Sequence, residues 1–183
     1  MIVVRIISGI AKGRSLQTLP GNHVRPTTDK VKEAIFSSIQ FDIEGRRFLD
    51  LFAGSGQMGL EALSRGAQSA TFVDSSADSL KICRQNIDTV GFSAVSKTVH
   101  SDALLFLNRN NEKFDIAFLD PPYAADLLEK ALLLLAKQMS DFGTIICEHP
   151  TDIILPERVD DFSLCKTRKY GKINVTFYKK EII

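Results

Sequence analysis

Short apolar runs alternate with longer amphipathic segments between residues 47 and 148. The apolar runs predict strands at 47–52, 70–74, 95–99, 114–119 and 144–148, and the segments between them predict helices at 58–65, 77–89, 104–108 and 125–138. Two further apolar runs, 162–167 and 173–178, flank Gly171 and predict a closing antiparallel hairpin. This order of elements is typical of an α/β fold with a mostly parallel sheet and helices on both faces.

The pattern is different before residue 41. Two short β runs within residues 2–19 surround a glycine-rich, basic loop and predict a hairpin. A helix is then predicted to begin at Thr27 or Thr28, because both are good N-caps and an apolar face follows. We therefore expect a small β-hairpin and helix in residues 1–40, attached to an α/β domain in residues 41–183.

The composition narrows the class of protein. With 183 residues and 44% apolar residues, the chain is long enough for one full core, and no apolar run approaches the ~18 residues of a membrane span. The N-terminus lacks a signal-peptide pattern, so we expect a cytoplasmic protein. Cys83, Cys147 and Cys165 are widely spaced and form no CxxC pair, which predicts buried reduced thiols and neither a zinc site nor a disulfide framework.

The net charge is only +1, but the basic residues are concentrated at the two ends. Residues 1–47 carry eight Lys/Arg against four acids, and residues 163–180 carry six basic residues and no acid. Such ends are typical of a surface that binds a polyanion, but ordinary solvated faces have the same composition. Charge alone leaves both interpretations open.

A glycine turn follows the first strand of the α/β region. The residues from Gly54 to Gly59 match G-x-G-x-x-G, and Asp74 follows at the end of the next predicted strand, as in dinucleotide-binding proteins. Asp50, however, immediately precedes the turn. A carboxylate there would repel an anionic pyrophosphate and attract a cationic amino group.

Acidic residues lie at or close to the ends of all five predicted parallel strands: Asp50, Asp74, Asp102, Asp120 and Glu148. Ligands of open parallel sheets bind at these strand ends, so the acids outline a cleft. A ligand with an amino-acid head, a ribose and an adenine fits them. Asp50 would face the ammonium group, Asp74 the ribose hydroxyls and Asp102 the adenine amine, with the backbone of Ala103 nearby. That ligand is S-adenosylmethionine.

The segment Asp120-Pro121-Pro122-Tyr123 follows the fourth parallel strand. A carboxylate and a proline carbonyl offer two neighbouring acceptors, which can hold the two hydrogens of an exocyclic amine. The amine lone pair then faces the sulfonium methyl group. Tyr123 can stack on a planar base that has been pulled out of its helix or loop. The other interpretation, a loop that only ends a strand, is weaker for this acid-Pro-Pro-aromatic order.

These motifs resemble those of class I methyltransferases that act on exocyclic amino nitrogens. The segments at 5–9, 12–14, 25–36 and 59–65 resemble the bacterial RsmD family, and the likeness runs from about Arg5 to Tyr178. Ser8 stands where this family often has glycine. The resemblance implies a Rossmann-like class I methyltransferase fold, S-adenosylmethionine as cofactor, and N2-methylation of one guanine in 16S rRNA within the small ribosomal subunit or its assembly intermediate. It also implies direct transfer without a metal, by a monomer.

The resemblance implies three groups of site residues. The cofactor would be bound by Asp50, Phe52, Ala53, Gly54, Ser55, Gly56, Asp74, Ser75, Asp102, Ala103 and Asp120. The catalytic residues would be Asp120, Pro121, Pro122 and Tyr123. The RNA would be bound by Arg5, Lys12, Arg14, Arg25, Thr27, Thr28, Lys169 and Lys172.

Three alternatives remain at this point. The same chemistry could act on adenine N6 in DNA or glutamine N5 in a protein, although the basic hairpin and the absence of a large target-recognition domain favour RNA. The glycine turn alone would also fit an NAD-linked oxidoreductase. A catalytically silent RNA-binding module would not need the Asp-Pro-Pro-Tyr segment.

Overall fold

The computed structural model describes residues 3–21, 27–122 and 125–180. The strands are β1 Val4–Arg5, β2 Ser15–Leu16, β3 Arg47–Asp50, β4 Ser69–Asp74, β5 Ser96–His100, β6 Phe114–Leu119, β7 Met139–Pro150, β8 Arg158–Val159, β9 Phe162–Tyr170 and β10 Ile173–Lys180. The helices are α1 Asp29–Ser38, α2 Gln57–Ser64, α3 Ala77–Val90, α4 Ala103–Arg109 and α5 Ala125–Ala136, with a 3₁₀ turn at Ser93–Val95.

Eight strands form one sheet in the order β5-β4-β3-β6-β7-β10-β9-β8. The strands from β5 to β7 are parallel, and β10, β9 and β8 continue the sheet antiparallel. The mostly parallel sheet and the closing hairpin of β9 and β10 are therefore confirmed. The strand order reverses between β3 and β6, where ligands of such sheets bind.

The helices cover both faces of the sheet, as predicted. Side chains of α1, α2 and α3 share one apolar core with alternate residues of the strands, including Phe48, Phe72 and Phe118. Side chains of α4 and α5 form the other core with Leu49, Ala117 and the other strand residues that point to the opposite face of the sheet. Because successive strand residues point to opposite faces, Asp50 points to the face covered by α1 and α2.

Several element boundaries differ from the predicted ones. Strand β6 ends where its apolar run ends, but β7 begins at Met139, five residues before the predicted Thr144, because Met139 itself pairs with Phe114 of β6 ahead of a shift in register. The two-residue β8 was not predicted. The prediction of buried cysteines is wrong for Cys165, which lies exposed on β9, whereas Cys83 and Cys147 are buried.

The predicted N-terminal hairpin and helix are confirmed, and they pack onto α2. Val4, Ile6 and Leu16 belong to the same buried core as α1 and α2. Gly9 has a φ of +86° and lies so close to the end of α2 that a Cβ would be 1.8 Å from the carbonyl oxygen of Ser64. The hairpin is therefore held against the helix that follows the glycine turn.

Within the described residues, no helix is long and apolar enough to cross a membrane. No group of three or more His, Cys, Asp or Glu side chains suited to a metal ion occurs in those same three ranges.

Candidate active site

The glycine turn is held by side chains of β4 and α3. The Asp74 carboxylate at the end of β4 accepts hydrogen bonds from the N–H of Gly54 and the N–H of Ser76, both at 2.8 Å. Asn86 of α3 donates to the carbonyl of Ser55 at 2.9 Å. A Cβ at Gly54 would meet nothing within 4 Å, so the turn opens onto free space in which a ligand can approach the backbone.

The other two glycines serve the packing of α2 against the sheet. Gly56 is the N-cap of α2 with a φ of +84°, and it has no side chain to cap the helix. A Cβ at Gly59 would lie 2.3 Å from the ring of Phe72, so only glycine permits this close approach of helix and strand. The G-x-G-x-x-G pattern thus combines one open position with two packing positions.

Asp50 lies at the end of β3 and caps α2 from outside the helix. One oxygen, Oδ2, accepts a hydrogen bond at 3.0 Å from the N–H of Gly59. The other, Oδ1, is buried and has no hydrogen-bond partner. Burial, together with the nearby charge of Asp74, raises the pKa of Asp50 to about 8 despite the bond to Gly59. A partner for Oδ1 that is cationic would restore the charge of this carboxylate.

Asp120 and Glu148 follow paired positions on neighbouring strands. Leu119 of β6 is in register with Cys147 of β7, so the next residues along the two strands, Asp120 and Glu148, lie side by side. Burial and the charges of Glu148 and Asp50 hold the pKa of Asp120 well above its usual range. Burial also raises the pKa of Glu148, against the effect of a hydrogen bond from the Thr27 hydroxyl at 2.9 Å.

Asp50, Asp120 and Glu148 thus form one acidic cleft at the carboxyl ends of the strands. Because side chains alternate between the two faces along a strand, all three carboxyl groups point to the face covered by α1 and α2. Within the described ranges, no ion pair joins any of the three to a lysine or an arginine. Three carboxyl groups in a low-dielectric cleft without a cation favour a positively charged ligand.

The remaining predicted cofactor residues lie around this cleft. Asp102 is the N-cap of α4, and its Oδ1 accepts from the N–H of Leu105 at 3.0 Å. Ala103 is buried, whereas Asp102 and Ser75 are exposed. Ala53 is buried and donates its N–H to the carbonyl of Val73, and Phe52 beside it is half-buried. The strand ends therefore bring Asp50, Asp74, Asp120 and Glu148 close enough for their charges to interact, whereas Asp102 lies at the exposed start of α4.

The acid-Pro-Pro-aromatic segment is described only in part. Pro121, which follows Asp120, is half-buried, and Pro122 is exposed. Tyr123 lies outside the described residues, so its predicted stacking role stays a prediction.

The predicted RNA-binding residues have different surroundings. Lys12, Lys169 and Lys172 are exposed. Arg5 is exposed and pairs with Asp29 at 3.2 Å, and Arg14 donates to the carbonyl of Thr89 at the end of α3.

The two threonines before α1 differ from each other. Thr27 is buried against Glu148, whereas Thr28 is exposed and is the N-cap of α1. Arg25 lies outside the described residues.

Several basic side chains are paired with acidic side chains of the protein itself. Lys32 is fully buried 3.7 Å from Glu61, and Arg47 binds Asp115 through two hydrogen bonds at 3.0 Å. Lys180 contacts both Asp141 and Asp161. The charge count therefore overstates the basic surface, although Arg5, Lys12, Arg14, Lys169 and Lys172 remain exposed.

Sequence reasoning missed the buried anchor of the N-terminal segment. Glu61 of α2 accepts from the N–H of Ile7 at 2.9 Å, from the N–H of Ser8 at 3.0 Å and from Arg65 Nε at 2.9 Å. Three residues on, Ser64 Oγ donates to the carbonyl of Ser8 and accepts from the N–H of Ala11. A single charged residue in an otherwise uncharged and fully buried eight-residue helix was the available signal.

The comparisons with known proteins show the family of this chain. The family model described as "conserved hypothetical protein 95" matches residues 4–179. The chain belongs to this family. YlbH of Bacillus subtilis is 41% identical over 97% of this chain and 99% of that protein. The protein of Haemophilus influenzae named ribosomal RNA small subunit methyltransferase D is 34% identical over 96% of this chain and 93% of that protein. The resemblance inferred from the motifs is confirmed.

Solved structures give the same result for the fold. The yhhF protein of Escherichia coli superposes with a TM-score of 0.89 at 32% identity, over 98% of both chains. The 16S rRNA N2 G1207 methyltransferase of Thermus thermophilus, in complex with AdoMet and guanosine, superposes with a TM-score of 0.75 at 19% identity, over 98% of this chain and 50% of that one. The predicted Rossmann-like methyltransferase fold is confirmed.

Proposed function

We propose that this protein transfers a methyl group from S-adenosylmethionine to the exocyclic N2 amine of a guanine in 16S rRNA of the small ribosomal subunit. The observation that carries the proposal is the cleft of Asp50, Asp120 and Glu148, in which two buried carboxyl groups and a half-buried one lie together with no ion-pairing cation among the described residues. The family relatives named as small-subunit rRNA methyltransferases support the substrate.

The residues of the cleft fit S-adenosylmethionine. The unpartnered Oδ1 of Asp50 is suited to the ammonium group, and the open side of Gly54 leaves room for the ligand beside the backbone. Asp74 already orients the turn and has lone pairs left for ribose hydroxyls. Asp102 and the backbone of Ala103 are placed for the adenine, and Phe52, Ala53, Ser55, Gly56 and Ser75 complete the wall. The bound cofactor supplies an electrophilic methyl group.

Asp120 and Pro121 act on the amine of the target base. The Asp120 carboxylate and the Pro121 carbonyl accept one hydrogen each, which directs the amine lone pair towards the cofactor. A guanine amine is a poor nucleophile because its lone pair is conjugated with the ring. Asp120 stabilises the positive charge that builds on nitrogen as the bond to the methyl carbon forms. The exposed Pro122 leaves the segment open to the incoming base. Tyr123 stacks on that base.

The N-terminal segment and the β9–β10 loop contact the RNA. Arg5, Lys12 and Arg14 belong to the hairpin clamped by Glu61, and Lys169 and Lys172 lie on the closing hairpin. Thr27 and Thr28, directly before α1, complete the proposed RNA-binding set together with Arg25. Phosphate contacts of this kind position a substrate without reading its sequence. We therefore divide the chain into an RNA-contacting segment, 1–40, and a catalytic domain, 41–183, that act together as a cytoplasmic monomer.

The same amine chemistry could act on adenine in DNA or on glutamine in a protein. Small subunits that lack the modification distinguish these substrates when they compete with DNA and with protein for labelled methyl groups. Incorporation into the subunit RNA supports the proposal, and incorporation into DNA or protein contradicts it. An NAD-linked activity would show as a rise of Tm with NAD and none with S-adenosylmethionine.

A further inference from the structure

We infer that Glu148 selects guanine, by accepting the N1–H of the target base while Asp120 and Pro121 hold its 2-amino group. The inference rests on the proposed function and adds the residue that sets the identity of the base.

The position of Glu148 places a second acceptor beside the one that holds the amine. The register of Leu119 with Cys147 sets Asp120 and Glu148 next to each other on adjacent strands. Neighbouring strands are about 4.8 Å apart. Both side chains point to the same face of the sheet, so a flat base whose amine meets Asp120 presents its neighbouring ring nitrogen to Glu148.

A second residue holds Glu148 in place. The hydroxyl of Thr27 donates to Oε2 of Glu148 at 2.9 Å, and Thr27 is itself buried directly before the N-cap of α1. No hydrogen bond to Oε1 is found in the part of the chain that the structure describes. Glu148 is thus oriented through one oxygen while the other remains for a ligand.

Packing alone does not require a carboxylate at this position. Only a neutral hydroxyl is bonded to Glu148 among the described residues, and the amide oxygen of a glutamine could accept the same bond. Keeping an acid of nearly the same shape in a buried site adds a desolvation penalty that packing does not repay. A charge kept there is explained by a ligand that donates to it.

The chemistry of the bases explains which ligand. Guanine carries a hydrogen on N1, directly beside its 2-amine. The ring nitrogens beside the amines of adenine and cytosine, N1 and N3 respectively, are acceptors and would be repelled by a carboxylate. Reading a flipped base through hydrogen bonds to this edge is common in enzymes that act on bases. A site built to accept a hydrogen bond strongly rejects an analogue that cannot donate it.

The test uses Glu148→Gln and small subunits reconstituted with either guanine or 2-aminopurine at the target position. 2-Aminopurine keeps the 2-amine, but its N1 carries no hydrogen. We expect the unaltered protein to prefer guanine in kcat/KM, and we expect Glu148→Gln to reduce that preference by roughly 10- to 100-fold, the range of a hydrogen bond to a charged group. The ratio between the two proteins cancels the intrinsic reactivity of the two amines.

Two further variants keep the test decisive. Glu112→Gln removes an exposed glutamate that pairs with Lys97 and should leave the preference unchanged. Thr27→Val keeps the shape of Thr27 but releases Glu148, and it should lower the preference partially even if Glu148→Gln folds poorly. A preference that is the same in Glu148→Gln, Thr27→Val and the unaltered protein would overturn the role of Glu148 alone. Failure of the unaltered protein to methylate guanine-containing subunits would overturn the proposed function as well.

Discussion

Asp50 accepts a hydrogen bond at 3.0 Å from the N–H of Gly59 through one oxygen, while its other oxygen is buried without a partner. The first bond caps α2, whose N-cap, Gly56, has no side chain for that task. The second oxygen is left for the ligand. One carboxylate therefore links the structure of the glycine turn to the charge of the cofactor.

Asp50→Asn separates these two roles. The amide oxygen can still accept from Gly59, but the negative charge is lost. We expect the affinity for S-adenosylmethionine to fall by roughly 10- to 100-fold, as for a hydrogen bond to a charged group. Without cofactor the Tm should stay the same or rise, because the free-energy cost of burying an acid whose pKa is about 8 instead of its ordinary 3.8 is removed.

Titration calorimetry and thermal unfolding measure the two effects. Asp115→Asn is the matched control, because it breaks the ion pair with Arg47 at the amino ends of the strands, the end of the sheet opposite to the cleft. It should lower the Tm and leave the affinity unchanged. Wild-type affinity in Asp50→Asn would show that the ammonium group binds elsewhere.

The raised pKa of Asp50 also predicts a pH dependence of stability. Its pKa is about 8 in the folded protein, mainly because of burial, against an ordinary value of 3.8. Between these values the folded protein binds more protons than the unfolded chain, so the contribution of Asp50 to stability falls as the pH rises. Without cofactor, the Tm of the unaltered protein should fall relative to that of Asp50→Asn from about pH 5 to about pH 8. A constant difference between the two proteins would contradict the raised pKa.

Asp74 is expected to hold both the turn and the ribose. Asp74→Ala removes the acceptor of the Gly54 and Ser76 N–H groups together with the predicted acceptor of the ribose hydroxyls. We expect affinity for S-adenosylmethionine to fall at least tenfold, about 1.4 kcal/mol, by calorimetry. Unchanged affinity would show that another residue binds the ribose hydroxyls.

Glu61 is expected to be the main anchor of the N-terminal hairpin. Glu61→Gln leaves the buried Lys32 without its counter-charge, which should lower the free energy of unfolding by about 3–5 kcal/mol. The amide hydrogens of Ile7 and Ser8, which bond to Glu61, should exchange faster with solvent.

Glu33→Gln is the control for this prediction. Glu33 is half exposed and pairs with Arg65 at 2.9 Å, so its loss should cost less than about 1 kcal/mol in urea denaturation. Equal effects of Glu33→Gln and Glu61→Gln would contradict the role of Glu61 as an anchor.

The hydrophobic pattern predicted the fold well where burial decides the structure. Strand β6, with six buried residues, has the predicted ends, because a run in which Asp115 is the only polar residue, flanked by polar residues on both sides, leaves few alternatives. Strand β7 was predicted too short, since Ser140, Asp141 and Gly143 resemble a loop and lie at the register shift that follows the pairing of Met139 with β6. Long-range pairing of this kind leaves no trace in local sequence.

The candidate site was predicted in its main parts for a similar reason. Acids after buried strands have to meet at one edge of a parallel sheet, which made Asp50, Asp74 and Asp120 recognisable. The partners of Glu61 and Glu148 could not be predicted, because Lys32 and Thr27 are distant in sequence and look like solvated residues of a helix and a loop.

Methyl transfer to small subunits from cells that lack this protein tests the central claim most directly. The subunits are incubated with the protein and labelled S-adenosylmethionine, and the modified nucleoside is identified and mapped by mass spectrometry. We expect one N2-methylguanosine at a single position of 16S rRNA, and no product with Asp120→Ala, which should still bind the cofactor. A methyl group on another base, on DNA or on protein, or near-normal turnover by Asp120→Ala, would contradict the account.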